Sequence, residues 1–140
     1  MDVLRRDGFV EDDSLEFTIL RGRNGRIDQV RLDGNVFCSD GVAVEVTKFM
    51  DTRELEGRLE VLSTYYRYHA WRPRHGGQSL IRYDQSHGYP HYHRFDRDGN
   101  TERHDELTLD TMPRLEAVIR EAVELSRAWD AESGATVSLT

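Results

Sequence analysis

Val42-Ala43-Val44-Glu45-Val46-Thr47-Lys48-Phe49 exchanges apolar for polar side chains at alternate positions. Neighbouring side chains on a strand point to opposite faces, so Val42, Val44 and Val46 share one face while Glu45 and Thr47 share the other. The stretch predicts a half-buried strand, and the segments before it repeat the pattern. Val36-Phe37-Cys38 is a short apolar strand closed by Asp40-Gly41. Ile27–Leu32, carrying Ile27, Val30 and Leu32, ends at the turn signal Asp33-Gly34. Leu15–Leu20 alternates too and ends at Arg23-Asn24-Gly25, where Asn-Gly suits a tight hairpin because both residues accept positive φ. Met1–Ser14 is charged and aperiodic and is expected to be a loose arm or a first short element.

After Phe49, Met50–Leu59 is charged and reads as a wide loop or a single helical turn. Glu60–Trp71 is rich in β-branched and aromatic residues. Period two puts Val61, Tyr65, Arg67, His69 and Trp71 on one face, with Leu62, Tyr66 and Tyr68 on the other. Pro73 and Gly76-Gly77 turn the chain back into Leu80–Asp84, and His91–Phe95 forms a further strand closed by Asp98-Gly99-Asn100. Thr101–Leu109 fits either an edge strand or a loop. Met112–Trp129 changes period: Leu115, Val118, Ile119, Ala122, Leu125 and Trp129 recur at three- and four-residue steps, the stripe of an amphipathic helix. Asp110 or Thr111 can cap it, Pro113 suits its first turn, and Glu116 and Arg120 form a pair four apart. Repeated strand–turn–strand spacing followed by one striped helix predicts an α+β fold: an antiparallel meander of about five to seven strands with the carboxyl-terminal helix, residues 112–130, packed on one face. At 140 residues the chain suits a single domain, with 131–140 as a frayed tail.

Composition narrows the function classes. No apolar run is long enough to span a bilayer and no basic-then-apolar leader opens the chain, so a soluble, cytoplasmic protein without membrane partners is expected. The single cysteine, Cys38, rules out an internal disulfide and argues against a cysteine-built zinc site; a lone buried thiol is the expectation. Charge is unevenly spread: residues 1–51 carry net −4, residues 52–97 net +3 and residues 98–140 net −6. The positive middle holds five of the six histidines. An acidic protein with one cationic, aromatic-rich region suits a localised anionic ligand better than general wrapping of nucleic acid.

That region centres on Leu80–Asp96, Leu-Ile-Arg-Tyr-Asp-Gln-Ser-His-Gly-Tyr-Pro-His-Tyr-His-Arg-Phe-Asp, which is too polar and titratable to be core-building sequence. His91 and His93 are two apart and face the same side of a strand; Tyr92 and Arg94 face the other. Gly88-Tyr89-Pro90 is a turn that could bring His87 beside them, and Asp84 ends the preceding strand. Three chemistries fit. Histidines can act as acid and base on a ribose phosphodiester while arginines bind phosphate, and Tyr68, Tyr83 or Tyr92 could stack unpaired bases. Alternatively His87, His91, His93 and Asp84 could hold zinc or iron. In the third, the histidines cap turns and satisfy buried backbone groups.

The order Tyr66-Arg67-Tyr68-His69-Ala70-Trp71, Leu80-Ile81-Arg82-Tyr83-Asp84 and Pro90-His91-Tyr92-His93-Arg94 resembles the TumE family of toxin–antitoxin toxins. The pattern is a tyrosine-rich strand, a strand ending in an aromatic–aspartate pair and a histidine-rich stretch before a carboxyl-terminal helix. Tyr83, Asp84, His91 and His93 are the matching positions. The likeness covers roughly the middle third of the chain, and Gln85 stands where the pattern leads one to expect asparagine. The resemblance implies the toxin component of a type II system with a cognate antitoxin. Joined to the residue chemistry, it gives the expectation of a metal-independent ribonuclease without cofactor: His91 and His93 as acid–base pair, Asp84 orienting one of them, and Tyr83 among the catalytic residues. Arg82, Arg94, Tyr68, His69 and His87 would contact RNA, although a regular strand aims Arg94 away from the histidines. The antitoxin would shield the cationic face and use Tyr89 and Tyr92. An edge strand at Leu15–Leu20 would permit a homodimer. A zinc or iron protein and a non-catalytic interaction protein are the alternatives.

Overall fold

The computed structural model describes residues 2–85, 89–108 and 111–138. A short helix, α1 (Asp2–Arg6), leads into strands β1 (Val10–Asp13), β2 (Glu16–Arg21), β3 (Ile27–Cys38), β4 (Ala43–Leu55), β5 (Arg58–Arg72), β6 (Gln78–Asp84), β7 (His91–Phe95) and β8 (Thr101–Glu106). Helix α2 (Leu115–Ser138) ends the chain. All eight strands form one antiparallel sheet in the order β1-β3-β4-β5-β6-β7-β8, with β2 also paired to β3. The architecture is the expected α+β meander with its helix on the sheet, one strand beyond the expected range. No helix among the described residues is long and apolar enough to cross a membrane.

Two segments depart from the expected boundaries for identifiable reasons. Asp33-Gly34 is no turn: β3 runs through it, and Gly34 sits at φ +138° because the β1–β2 connection crosses there. A Cβ at Gly34 would lie 2.4 Å from the Ser14 carbonyl oxygen, so glycine is needed for backbone approach. Met50–Leu59 is no loop either. It completes β4, and the hairpin turn falls at Glu56-Gly57, both with positive φ. At this end the one buried side chain of β4 is polar, Thr52, whose hydroxyl donates to the Ile27 carbonyl at 3.2 Å, so the apolar alternation that marks a strand is missing. A register shift opposite Asp51/Thr52 pairs Thr52 with Val61, which moves Val61 off the face that carries Tyr65.

The core lies between α2 and one face of the sheet. Val44, Val46, Ala70 and Ile81 from the strands meet Val118, Ile119, Ala122, Val123 and Trp129 from the helix. The amino-terminal segment is not loose: Leu4 is 1% exposed and joins this core with Val10. Its docking is reinforced by Arg120, which pairs with Asp7 at 3.3 Å rather than with Glu116. The start of α2 also differs from expectation. Pro113 precedes the helix, and Thr111 closes a turn by accepting a hydrogen bond from the Thr108 amide at 2.9 Å. Asp110 lies outside the described residues. At the other end α2 continues through 131–138, where a frayed tail was expected. Arg72 on β5 holds the helix by an ion pair to Asp130, its guanidinium 5.9 Å from the centre of the Trp129 ring.

Candidate functional site

Alternation along β4 to β8 sends half the side chains under α2 and half to the opposite face, on which no helix packs among the described residues. On that open face the registers build two rows. One reads Thr47, Arg67, Asp84, His91, Glu106; the next reads Glu45, His69, Arg82, His93, His104. Adjacent strands are about 4.8 Å apart, so side chains far apart in sequence become immediate neighbours.

The rows bring three imidazoles together. His93 and His104 stack with ring centroids 4.4 Å apart and planes 14° from parallel. His104 Nε2 lies 3.3 Å from His91 Nδ1, so one of these nitrogens donates and the other accepts. His91 and His93 are 6.4 Å apart, centroid to centroid. His104 was missed by the sequence reading. Its signal was the Asp98-Gly99-Asn100 turn: a hairpin closed there pairs 93 with 104, provided 101–106 is a strand.

Around the imidazoles lie guanidinium groups and one carboxylate. The Nε atoms of Arg67 and Arg82 and Nδ1 of His93 are buried without a hydrogen bond. The Arg82 Nε stands 3.0 Å from the Asp84 carboxylate, an ion pair without hydrogen-bond alignment. Asp84 is 6% exposed and pairs with Arg82, so its carboxylate anchors a guanidinium in addition to facing His91 across the strands. Burial lowers the His93 pKa below the ordinary 6.5, with Arg82 and His104 adding to the effect and Asp84 opposing it. His69 is lowered for the same primary reason, with Arg67 and Arg82 contributing; its Nε2 lies 3.0 Å from the Ser79 hydroxyl. Both rings are therefore shifted towards the neutral form relative to a free imidazole.

The remaining expected site residues divide by face. Arg82, Asp84, His69, His91 and His93 occupy the open side. Tyr83 does not: with Tyr92 it lies under α2, and the two hydroxyls donate to opposite oxygens of Glu121 at 2.8 and 2.5 Å. Burial, followed by these bonds to a carboxylate, pushes both phenols up. Tyr68 is buried on the same side, its pKa pushed up to about 12, chiefly by burial. Arg94 pairs across the strands with the core residue Ile81 and forms an ion pair with Glu102 at 3.2 Å. None of these four shares the histidine face. Tyr66, Tyr68 and Ala70 on β5 and Ile81 and Tyr83 on β6 share the core side, which is why one tyrosine-rich region supplies core and not site.

His87 lies outside the described residues. Among the described residues, no three His, Cys, Asp or Glu side chains are grouped to hold a metal ion. Face-to-face stacking of His93 on His104 directs their ring nitrogens along parallel planes and not at one point. Cys38 is buried, its thiol pushed up to about 12 by desolvation and then by Glu11, as expected of a structural thiol. No protein-family model, no curated protein and no solved structure matches the chain.

Proposed function

We propose that the open face binds RNA and cleaves its phosphodiester bonds without a metal, and that this activity is that of a toxin held in check by a cognate antitoxin. The observation that carries the reading is the three-imidazole cluster of His91, His93 and His104 set beside Arg67 and the Arg82–Asp84 ion pair on one face. Imidazoles near neutrality can give and take protons, and guanidinium groups beside them suit the negative charge of a phosphate. The toxin context comes from the likeness of the middle third to the TumE pattern.

In this reading the neutral His93 takes the proton of the ribose 2′-hydroxyl. The 2′-oxygen attacks phosphorus, the bond to the 5′-oxygen breaks, and the His91–His104 pair supplies a proton to the leaving oxygen, giving a 2′,3′-cyclic phosphate and a free 5′-hydroxyl. Arg82, anchored by Asp84, and Arg67 neutralise the phosphorane oxygens. The antitoxin would cover this face. The neighbouring edge of β5, where Arg58–Tyr66 pair only with β4 among the described residues, offers it a strand to extend.

Induced expression of the wild type and of the His91→Ala/His93→Ala double variant, scored for growth and total RNA integrity, tests the reading. Growth arrest with fragmented RNA only in the wild type is expected. Purified protein should cleave RNA in excess chelator, and His93→Ala should lower that rate by about 10²–10⁴-fold. Toxicity that survives loss of both histidines would sink the mechanism.

A further inference from the structure

One array on the open face has, apart from Arg67, no part in the proposed cleavage step. Tyr65, Arg67, His69 and Trp71 occupy alternate positions of β5 and all point away from α2. Tyr65 stacks on Phe49 of β4 with centroids 4.7 Å apart and planes 21° from parallel, and the Arg31 guanidinium lies 5.7 Å from the Phe49 ring. Trp71 stacks beside His69 at 5.6 Å. The array therefore reads aromatic, cation, imidazole, aromatic, and every member is half-buried rather than free in solvent. Held in this way, the rings keep a fixed orientation and lose little freedom when a ligand stacks on them.

We propose that this face of β5 is a track for single-stranded RNA: Tyr65 and Trp71 stack unpaired bases at the two ends, while Arg67 and the adjacent Arg82 hold the intervening phosphates over the His91–His93–His104 cluster. The inference rests on the ribonuclease reading and specifies its substrate as single-stranded. Alternate residues on a strand recur every 6.8 Å or so, a step that an extended single strand covers in one nucleotide, so Tyr65 to Trp71 spans about 20 Å, or about three nucleotides. A duplex cannot use the track, because its bases are stacked on each other and a sheet face this broad enters neither groove. The tyrosines first considered for stacking, Tyr68, Tyr83 and Tyr92, lie beneath α2; Tyr65 and Trp71 take their place.

The test is fluorescence anisotropy with a labelled 2′-O-methyl decanucleotide, which has no 2′-hydroxyl to attack, as single strand and as duplex. Tight single-strand binding and at least about tenfold weaker duplex binding are expected, because aromatic stacking contributes roughly 1–3 kcal/mol per base. Tyr65→Ala and Trp71→Ala should each weaken single-strand binding by about 5- to 100-fold, Trp71→Phe should retain most of it, and Arg67→Gln should reduce the salt dependence by about one phosphate. Circular dichroism and melting identify any variant that fails to fold, and Trp71→Phe and Tyr65→Leu then keep the stacking comparison open. Equal affinity for duplex, no binding at all, or folded Tyr65 and Trp71 variants that bind as wild type would overturn the track. If single strands bind as described but no RNA is cleaved, the track stands and the ribonuclease reading falls; if RNA is cleaved while Tyr65→Ala and Trp71→Ala are silent, the reverse holds.

Discussion

The two faces of β5–β7 are built from alternate residues of the same strands, yet they solve opposite problems. Under α2, Tyr83 and Tyr92 satisfy their hydroxyls on the single carboxylate of Glu121, and Ala70 and Ile81 pack against the helix. On the open side, Arg67 Nε and His93 Nδ1 are buried without a hydrogen bond, and Arg82 is held by an ion pair to Asp84. Buried polar atoms without a hydrogen bond occur on the side of α2 as well, at Arg72, Arg94 and Ser126, so what separates the open face is its cluster of imidazoles and guanidinium groups. The contrast shows that burial alone does not mark a structural residue: Tyr83 and Asp84 are adjacent and similarly buried, but Tyr83 bonds to Glu121 of the helix whereas Asp84 pairs with Arg82 beside the histidines.

The comparison can be broken most severely from the closed side. Ile119→Asp places a carboxylate in the centre of the helix–sheet core, and a loss of about 4 kcal/mol or more, or failure to fold, is expected in chemical denaturation. Glu121→Ala leaves two phenol hydroxyls without their acceptor and should cost about 2–3 kcal/mol, with Glu121→Gln recovering part of it. Acidification tests the open side. His93 and His69 have folded pKa values below the unfolded value near 6.5, so the unfolded chain binds more protons as pH falls. Stability is therefore unaffected by these groups above about pH 7 and is lost as pH drops through 6.5 towards their folded pKa values. The melting temperature should decline over that window, and the decline should flatten in a His69→Gln/His93→Gln variant.

Smaller effects sharpen the same contrast. Arg67→Gln removes an unpartnered buried donor, so its stability should stay within about 0.5 kcal/mol of wild type, or rise, while RNA cleavage falls. Val61→Ser, at a site 52% exposed on the far end of the sheet, should likewise change stability by less than about 0.5 kcal/mol. A larger loss there would mean that this end is covered in solution, by a partner strand or a second copy.

Alternation and helical periodicity carry information within a single element, and that much was legible. His91 and His93 share a face, Arg94 opposes them, and Val118, Ile119, Ala122, Leu125 and Trp129 form the buried stripe of α2. Where the rules of a single element conflict with its surroundings, the reading failed. Gly34 looked like a turn because glycine in isolation signals one, whereas here it admits a crossing backbone. Met50–Leu55 looked like a loop because its buried position is the polar Thr52 and most of its other residues are charged.

What the residues by themselves determined is the α+β meander, its closing helix and the pairing of His91 with His93 on one surface, since these follow from side-chain direction over a few consecutive positions. Tertiary structure alone decided the rest: which face α2 covers, hence the loss of Tyr68 and Tyr83 from the site, and which strands lie side by side, hence the gain of His104 and Arg67. Register is a relation between segments distant in sequence, set by the total fit of core side chains and turns, and no single stretch contains it.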